Sequence, residues 1–236
     1  YTFGSWSKTS GSLTSTQTIT ATFADTTKPT CSITRSDYNT FGWTTGDTAG
    51  VTGYMLSTTQ STKPDASASG WTTSGTLTSG SKDVTAAGTW YLWAKDAAGN
   101  VCVGANITAY TISRSQGTGS TLLTQFDRTT ENTSNTNNNF TSSLVVLHGT
   151  PIYAKATANT GWESPTLKHG STTMTASGGT FNASASEAIT STASAKTLTF
   201  ADKTITKTFS TSSQTETKGV NAASNGSGTY TYAITA

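Results

Sequence analysis

The side chains best suited to chemistry in this chain are oxygen donors at predicted turns. Asp25, Asp47, Asp96 and Asn100 all fall in loops or linkers between strand-like segments. Carboxylate and amide oxygens from neighbouring loops suit a hard cation such as calcium. Against such a site, the chain has only 12 acidic residues and no repeated Asp-x-Asp spacing. Calcium is the one candidate cofactor, with Asp25, Asp96 and Asn100 as its candidate ligands.

Asp96 and Asn100 also have a purely structural interpretation. They bracket a short turn, and such side chains cap turns by hydrogen bonding to nearby backbone groups. Both interpretations stand from the sequence alone.

Catalytic chemistry has little support. The two histidines, His148 and His169, each precede a glycine and lie in no nucleophile motif, and no Gly-x-Ser-x-Gly elbow follows a strand-like segment. Zinc would need three or four clustered His, Cys or carboxylate ligands, and the sequence offers no such cluster. We expect no catalytic residues and no enzyme activity.

The segment from Gly88 to Asn100 indicates which elements position these residues. It predicts a strand followed by a tight turn, Asp96-Ala97-Ala98-Gly99-Asn100. Side chains of a strand alternate between its two faces. One face carries Trp90, Leu92 and Ala94, and the other carries Tyr91, Trp93 and Lys95.

This strand and turn, with Val101-Cys102-Val103 after them, resemble the F strand, FG turn and G strand of bacterial immunoglobulin-like surface domains. Asp25-Thr26-Thr27-Lys28-Pro29-Thr30 is similar to the linker that precedes many of these domains. The resemblance implies a β-sandwich over residues 26–114, one module of an extracellular stalk, and in some such stalks calcium stiffens the joints. We expect its strands near 30–35, 38–44, 51–58, 71–77, 80–85, 88–95 and 101–112.

The same resemblance implies a disulfide between Cys31 and Cys102. They lie in the first and last predicted strands, which run side by side in many immunoglobulin-like domains. A disulfide would indicate an oxidising compartment. The alternative is a pair of buried thiols that act as small hydrophobic side chains.

The flanking segments resemble a different module. Residues 144–162 are similar to the internalin-type B repeat, and residues 1–25 resemble the last half of another such repeat. We therefore expect a B repeat-like module over 115–195, with a polar loop at 131–139. Residues 196–236 alternate like strands and predict a partial β-sandwich, or one completed by another chain.

Three side chains predict a ligand-binding surface. Tyr91, Trp93 and Met55 should share the outward face of two neighbouring strands, where aromatic rings can stack on a sugar or receive a partner. The alternative is that a neighbouring domain or the loop 60–70 covers them. Trp43 and Trp71 are expected in or near the core.

Composition agrees with an all-β fold built of small tandem modules. Only 11% of the 236 residues are charged, while 33% are hydrophobic, and β-branched threonine replaces charge on the predicted surface. A net charge of +2 gives no reason to expect a nucleic acid partner. No apolar stretch approaches the roughly 20 residues that span a bilayer, so we expect no membrane insertion in this segment.

These observations predict a structural or adhesive stalk segment of a secreted or cell-surface bacterial protein. Its partners would be neighbouring modules of the same or an identical chain, or a glycan or protein from the surroundings. Two alternatives are an extracellular fibre subunit that assembles by strand exchange, and a glycan-binding module that uses Tyr91 and Trp93.

Overall fold

The computed structural model describes residues 1–11, 15–134 and 136–197. Over these residues the protein is all-β, as predicted, with several packed sheets and no helix. This part of the chain accordingly holds no helix long and apolar enough to cross a membrane. The strands predicted at 196–236 lie outside the described residues, apart from 196 and 197.

The chain divides into two compact units. The first contains Tyr1–Ser113, Ser142–Ile152 and Phe181–Glu187, and the second contains Arg114–Thr141, Tyr153–Thr180 and the chain from Ala188 onward. Residues on both sides of position 25 belong to the first unit, and residues of the segment 115–195 belong to both units. The predicted module boundaries after 25, 114 and 195 stay predictions.

The first unit contains two sheets and a separate hairpin. The hairpin pairs β1 with β2, one sheet has the order β3-β4-β6, and in the other β5, β7, β8 and β10 follow one another. The strands are β1 (Thr2–Trp6), β2 (Ala21–Ala24), β3 (Thr30–Arg35), β4 (Thr40–Gly46), β5 (Val51–Ser57), β6 (Ser79–Asp83), β7 (Gly88–Asp96), β8 (Ala105–Gln116) and β10 (Leu144–Leu147). The first unit includes β8 as far as Ser113.

Alternation along these strands builds the core between the two sheets. On β4, Phe41 and Trp43 point inward on alternate positions and are buried. They meet Leu92 of β7, Ala109 of β8 and other side chains of the facing sheet. The full buried cluster is Phe41, Trp43, Val84, Leu92, Ala109 and Leu147. Burying side chains of this size contributes about 1.5–3 kcal/mol each to folding.

The opposite face of β7 is covered by the long connection between β5 and β6. Trp93 and Met55 are buried there beside Ala94. The Trp93 indole Nε1 donates a hydrogen bond to the Gln60 carbonyl (2.9 Å), and the Trp71 indole Nε1 donates to the Asp65 carbonyl (3.1 Å). These bonds fix the connection against the sheet. The predicted strand at 71–77 is wrong, because this segment serves as the cover and only Thr72 pairs, in a bridge with Tyr54.

The predicted disulfide is present. Cys31 of β3 and Cys102 are bonded, with Cα atoms 6.2 Å apart. Cys102 precedes β8 rather than lying in it, and its backbone N–H donates to the Ala94 carbonyl (3.0 Å). The predicted last strand therefore begins later than expected, at Ala105, after Gly104 adopts a φ of 91° against the Trp93 ring.

In the second unit, one sheet has the order β14-β11-β9, and β13, β12 and β15 are consecutive strands of the seven-stranded sheet. The polar loop predicted at 131–139 is present. The buried Gln125 holds it, since the Gln125 amide donates to the Asn132 carbonyl and to Asn139 Oδ1. The strands of the second unit are β9 (Ser120–Phe126), β11 (Pro151–Ala158), β12 (Trp162–His169), β13 (Thr172–Met174), β14 (Gly179–Asn182) and β15 (Glu187–Ala195). The first residues of β11 and β15 and the last residues of β14 belong to the first unit.

Two glycines in the β3-β4-β6 sheet test how tightly the core is packed. A Cβ on Gly80 would lie 2.6 Å from Trp43 Cζ2, whereas the nearest atom to a Cβ on Gly42 would be the Gly80 carbonyl oxygen at 3.9 Å. We predict that Gly80→Ala destabilises the first unit by about 1–3 kcal/mol through overpacking. Gly42→Ala should be neutral or slightly stabilising, because it restricts the unfolded chain without a clash.

Urea unfolding followed by tryptophan fluorescence measures both variants. Trp6, Trp43, Trp71, Trp90 and Trp93, five of the 6 tryptophans, lie in the first unit. Equal midpoints for the two variants would contradict the packing described for Trp43.

Candidate metal centre

Three aspartates from separate elements of the first unit meet at one point. Asp25 lies in the linker after β2, Asp47 in the turn between β4 and β5, and Asp96 at the end of β7. One carboxylate oxygen from each lies within 4.8 Å of the other two. We call Asp25, Asp47 and Asp96 the aspartate cluster.

Asp96 is the buried member and is held on both oxygens. Its Oδ1 accepts a hydrogen bond from the Asn100 backbone N–H (2.9 Å), and its Oδ2 accepts one from the Asn100 side-chain amide (2.8 Å). The turn closes because Gly99 adopts a φ of 87°, which a side chain would disfavour. The capping interpretation of Asp96 and Asn100 is therefore confirmed, and the cap fixes the carboxylate within the cluster.

The other two carboxylates are each fixed by a local turn. Asp25 Oδ1 accepts from the Thr27 backbone N–H (2.9 Å), and Asp47 Oδ2 accepts from the Ala49 backbone N–H (2.7 Å). Such side chain to backbone bonds two residues along the chain are typical of aspartate in turns. The Asn100 amide also donates to the Asp25 carbonyl (3.0 Å). The linker is thereby attached to the end of β7.

The electrostatics of the cluster favour a cation. Two carboxylates 4.8 Å apart repel each other by about 3 kcal/mol at an effective dielectric constant of 20. Asp47 Oδ1 is buried and accepts no hydrogen bond from any residue that the structure describes. A buried acceptor without a donor costs about 1–3 kcal/mol. A bound cation would relieve both costs.

Calcium fits this set of donors. It binds six to eight oxygen ligands at about 2.3–2.6 Å, so oxygens up to about 5 Å apart can ligate the same ion. The cluster supplies three carboxylates and no nitrogen or sulfur, which disfavours zinc. Water or backbone carbonyls would complete the coordination.

The structure brings the predicted ligands Asp25 and Asp96 together and adds the carboxylate of Asp47. Asn100 lies beside them and uses its amide N–H groups to hold Asp96 and the linker. Its role as a calcium ligand stays a prediction. The turn position of Asp47, three residues before Gly50, was the sequence signal for its role, but only the pairing of β5 with β7 brings that turn to Asp96.

The predicted aromatic surface of Tyr91, Trp93 and Met55 is not an exposed one. Trp93 and Met55 are each only 6% exposed, and Tyr91 is partly buried beside them. The connection between β5 and β6 covers them, which is the alternative given for these residues. Trp43 is buried in the core between the sheets, and Trp71 packs against Trp93 and Met55, both as predicted.

Comparison of this chain with models of protein families, with curated proteins and with solved structures finds no match. The site's own geometry is therefore the basis for a functional assignment.

We predict that calcium reverses the effect of Asp47→Asn on the stability of the first unit. Without the ion, Asp47→Asn should leave the first unit equally or more stable, because it removes carboxylate repulsion. With calcium at about 100 times its dissociation constant, the wild type should gain about 2.7 kcal/mol and the variant much less.

Thermal unfolding with calcium or with EDTA measures both effects. The matched control is Asp83→Asn, an exposed aspartate of β6 outside the cluster, which should keep the full response to calcium. A wild type whose melting temperature ignores millimolar calcium would rule out the site.

Proposed function

We propose that this chain is a non-catalytic, load-bearing segment of an extracellular protein, with an immunoglobulin-like module as part of a bacterial surface stalk. The observation that carries the proposal is the aspartate cluster. It joins Asp25, in the segment between the β1–β2 hairpin and β3, to two turns of the sheets that follow. A cation there would turn a flexible connection into a stiff joint, which is what a stalk requires.

The disulfide complements this joint. Tension that enters through the linker reaches Cys31 soon after Asp25 and then passes through the sulfurs to Cys102. The residues between the two cysteines are thereby removed from the path of the force. Asp25 precedes Cys31, whereas Asp47 and Asp96 lie between the cysteines. Calcium held between Asp25 and the other two aspartates would therefore resist the first movement of the linker, and the covalent bond would limit the rest.

The disulfide also supports the proposed location. Disulfides persist in oxidising compartments such as the cell exterior. The low charge and the threonine-rich strands suit a surface that faces water without strong electrostatic attraction to a particular partner.

Single-molecule force measurements on the full chain test this function. The reduced chain should extend further than the oxidised chain by about 240 Å, the extended length of the 71-residue separation between the cysteines. Calcium should raise the force of the earliest transition in the wild type and in Asp83→Asn, but not in Asp47→Asn. A chain whose unfolding force responds neither to calcium nor to the disulfide would not be load-bearing in the way proposed.

A second candidate function, self-assembly, is favoured by the β1–β2 hairpin. Among the described residues, five of the six exposed large hydrophobic side chains lie on or beside it: Tyr1 (74% exposed), Phe3 (53%), Trp6 (52%), Ile19 (46%) and Phe23 (62%). The Phe3 ring lies 5.5 Å from Trp6 and 6.0 Å from Phe23, so the patch is continuous. A two-stranded hairpin is only marginally stable by itself. We assign its cover to a strand from a second copy of this chain.

Sedimentation velocity over a range of concentrations distinguishes the two functions. A fibre subunit should associate as concentration rises, and the triple variant Phe3→Ser, Trp6→Ser, Phe23→Ser should stay monomeric. Val103→Ser is the matched control, since Val103 is 88% exposed but lies away from the hairpin. A wild type that is monomeric at all concentrations would exclude assembly and leave the stalk function untouched.

A further inference from the structure

The strand β6 is an open edge of the first unit. It pairs with β4 on one side, and among the strands that the structure describes none pairs with its other side. All five of its residues are exposed. A row of unpaired backbone N–H and C=O groups at a sheet edge binds another strand. β6 therefore offers a position for one more strand.

Alternation along β6 shows which backbone groups face away from β4. The Thr45 N–H donates a hydrogen bond to the Thr78 carbonyl (2.9 Å), just before β6 begins. Backbone groups of a strand point to the same side at every second residue, so those of the even-numbered residues point toward β4. The outward row consists of the N–H and C=O groups of Ser79, Ser81 and Asp83.

A cavity lies beside the end of this edge. It has a volume of about 440 Å³ and an apolar lining that includes Val84, Ala86, Ala87 and Trp90. Lys82 pairs with the buried Phe41, so it lies on the inward face of its sheet, and its Nζ is 5.5 Å from the centre of the Trp90 ring. A strand added to β6 would place its own inward face over this rim of the core.

The β1–β2 hairpin has the complementary features. It forms a sheet of two strands within the described part of the chain, so the outer edge of β1 is unpaired. Phe3 pairs with Phe23, and the contacts of the Phe3 ring with Phe23 and Trp6 place the three exposed rings on one face. β1 and β6 are both five residues long, and neither β1 nor β2 carries a charge.

We propose that the hairpin of one copy adds to the β6 edge of the next through β1 and places its aromatic face over the cavity. This inference rests on self-assembly, the second candidate function. The β3-β4-β6 sheet would grow to five strands, and the hairpin rings would pack near Trp90. Because the hairpin and the edge are different surfaces, the contact is head to tail and forms a filament unless it closes into a ring.

A second β6 strand fits this edge less well than the hairpin does. In an antiparallel pair centred on Ser81, Lys82 of each copy lies opposite Gly80 of the other. The two lysines are then diagonal neighbours on one face of the sheet, where like charges repel. The uncharged strands of the hairpin avoid this repulsion.

Two substitutions at one position test the contact by sedimentation velocity of the full chain. Ser81→Pro removes an outward N–H, at an edge position where proline is compatible with a strand. It should weaken association by about tenfold or more, since the ladder to β1 loses a hydrogen bond and meets the proline ring. Ser81→Ala is the matched control, because it changes the same side chain, keeps the N–H and should associate as the wild type does.

A mixture of variants tests the direction of the contact. Ser81→Pro keeps an intact hairpin, and the triple variant Phe3→Ser, Trp6→Ser, Phe23→Ser keeps an intact edge. Each should be monomeric alone at concentrations where the wild type associates. Their equimolar mixture should form heterodimers and nothing longer, because each heterodimer uses the one intact hairpin and the one intact edge.

Hydrogen exchange followed by mass spectrometry needs no substitution. The amides of residues 79–83 should exchange about tenfold or more slowly at concentrations where the wild type associates than in the monomer. The amides of β3, the opposite edge of the same sheet, should exchange equally in both states. This measurement decides the matter if Ser81→Pro does not fold.

The outcomes separate this contact from self-assembly as such. A wild type that is monomeric at all concentrations would exclude both. A Ser81→Pro variant that folds and associates as the wild type does would overturn the contact at β6 alone. Exchange at 79–83 that does not slow on association would have the same meaning, and assembly through another surface would remain.

Discussion

Burial of both faces of β7 is the constraint on which the first unit depends. One face packs Leu92 into the core between the sheets, and the other packs Trp93 beneath the connection that follows β5. The strand is also paired along both edges, with β5 and with β8. Because β7 is fixed on all sides, the turn at its end has a fixed position. That turn carries Asp96, the buried anchor of the aspartate cluster.

The disulfide and the aspartate cluster use this rigid strand in two ways. Cys102 is tied to it by backbone hydrogen bonding to Ala94, so the covalent link from Cys31 ends beside this strand. The aspartate cluster instead places three carboxylates next to the end of this strand, where they repel one another. The disulfide and the aspartate cluster thus lie close to the same end of β7, and the proposed mechanical function rests on this arrangement.

The aromatic side chains of the first unit are in contrasting environments. Those on β4 and β7 are enclosed, and even Trp71 in the covering connection has its indole N–H satisfied by the Asp65 carbonyl. Those on the β1–β2 hairpin are largely exposed. Among the described residues, the hairpin therefore holds most of the exposed large hydrophobic side chains.

The sequence by itself determined the fold class and most strands of the first unit. Alternation from Trp90 to Lys95 and the glycine-containing turn after it are strong local signals, which depend little on contacts with distant segments. They placed β7 and the capped turn at Asp96 correctly. The pairing of Cys31 with Cys102 followed from a family resemblance, and the structure contains it.

Only the tertiary structure decided which residues from distant segments meet. Alternation placed Trp93 and Met55 on one face but could not reveal that the connection after β5 folds over that face, since the cover is held by single hydrogen bonds such as that to the Gln60 carbonyl. The entry of Asp47 into the cluster depends on the register of β5 against β7. Strand register and strand ends arise from contacts between residues far apart in the chain, which no local pattern encodes.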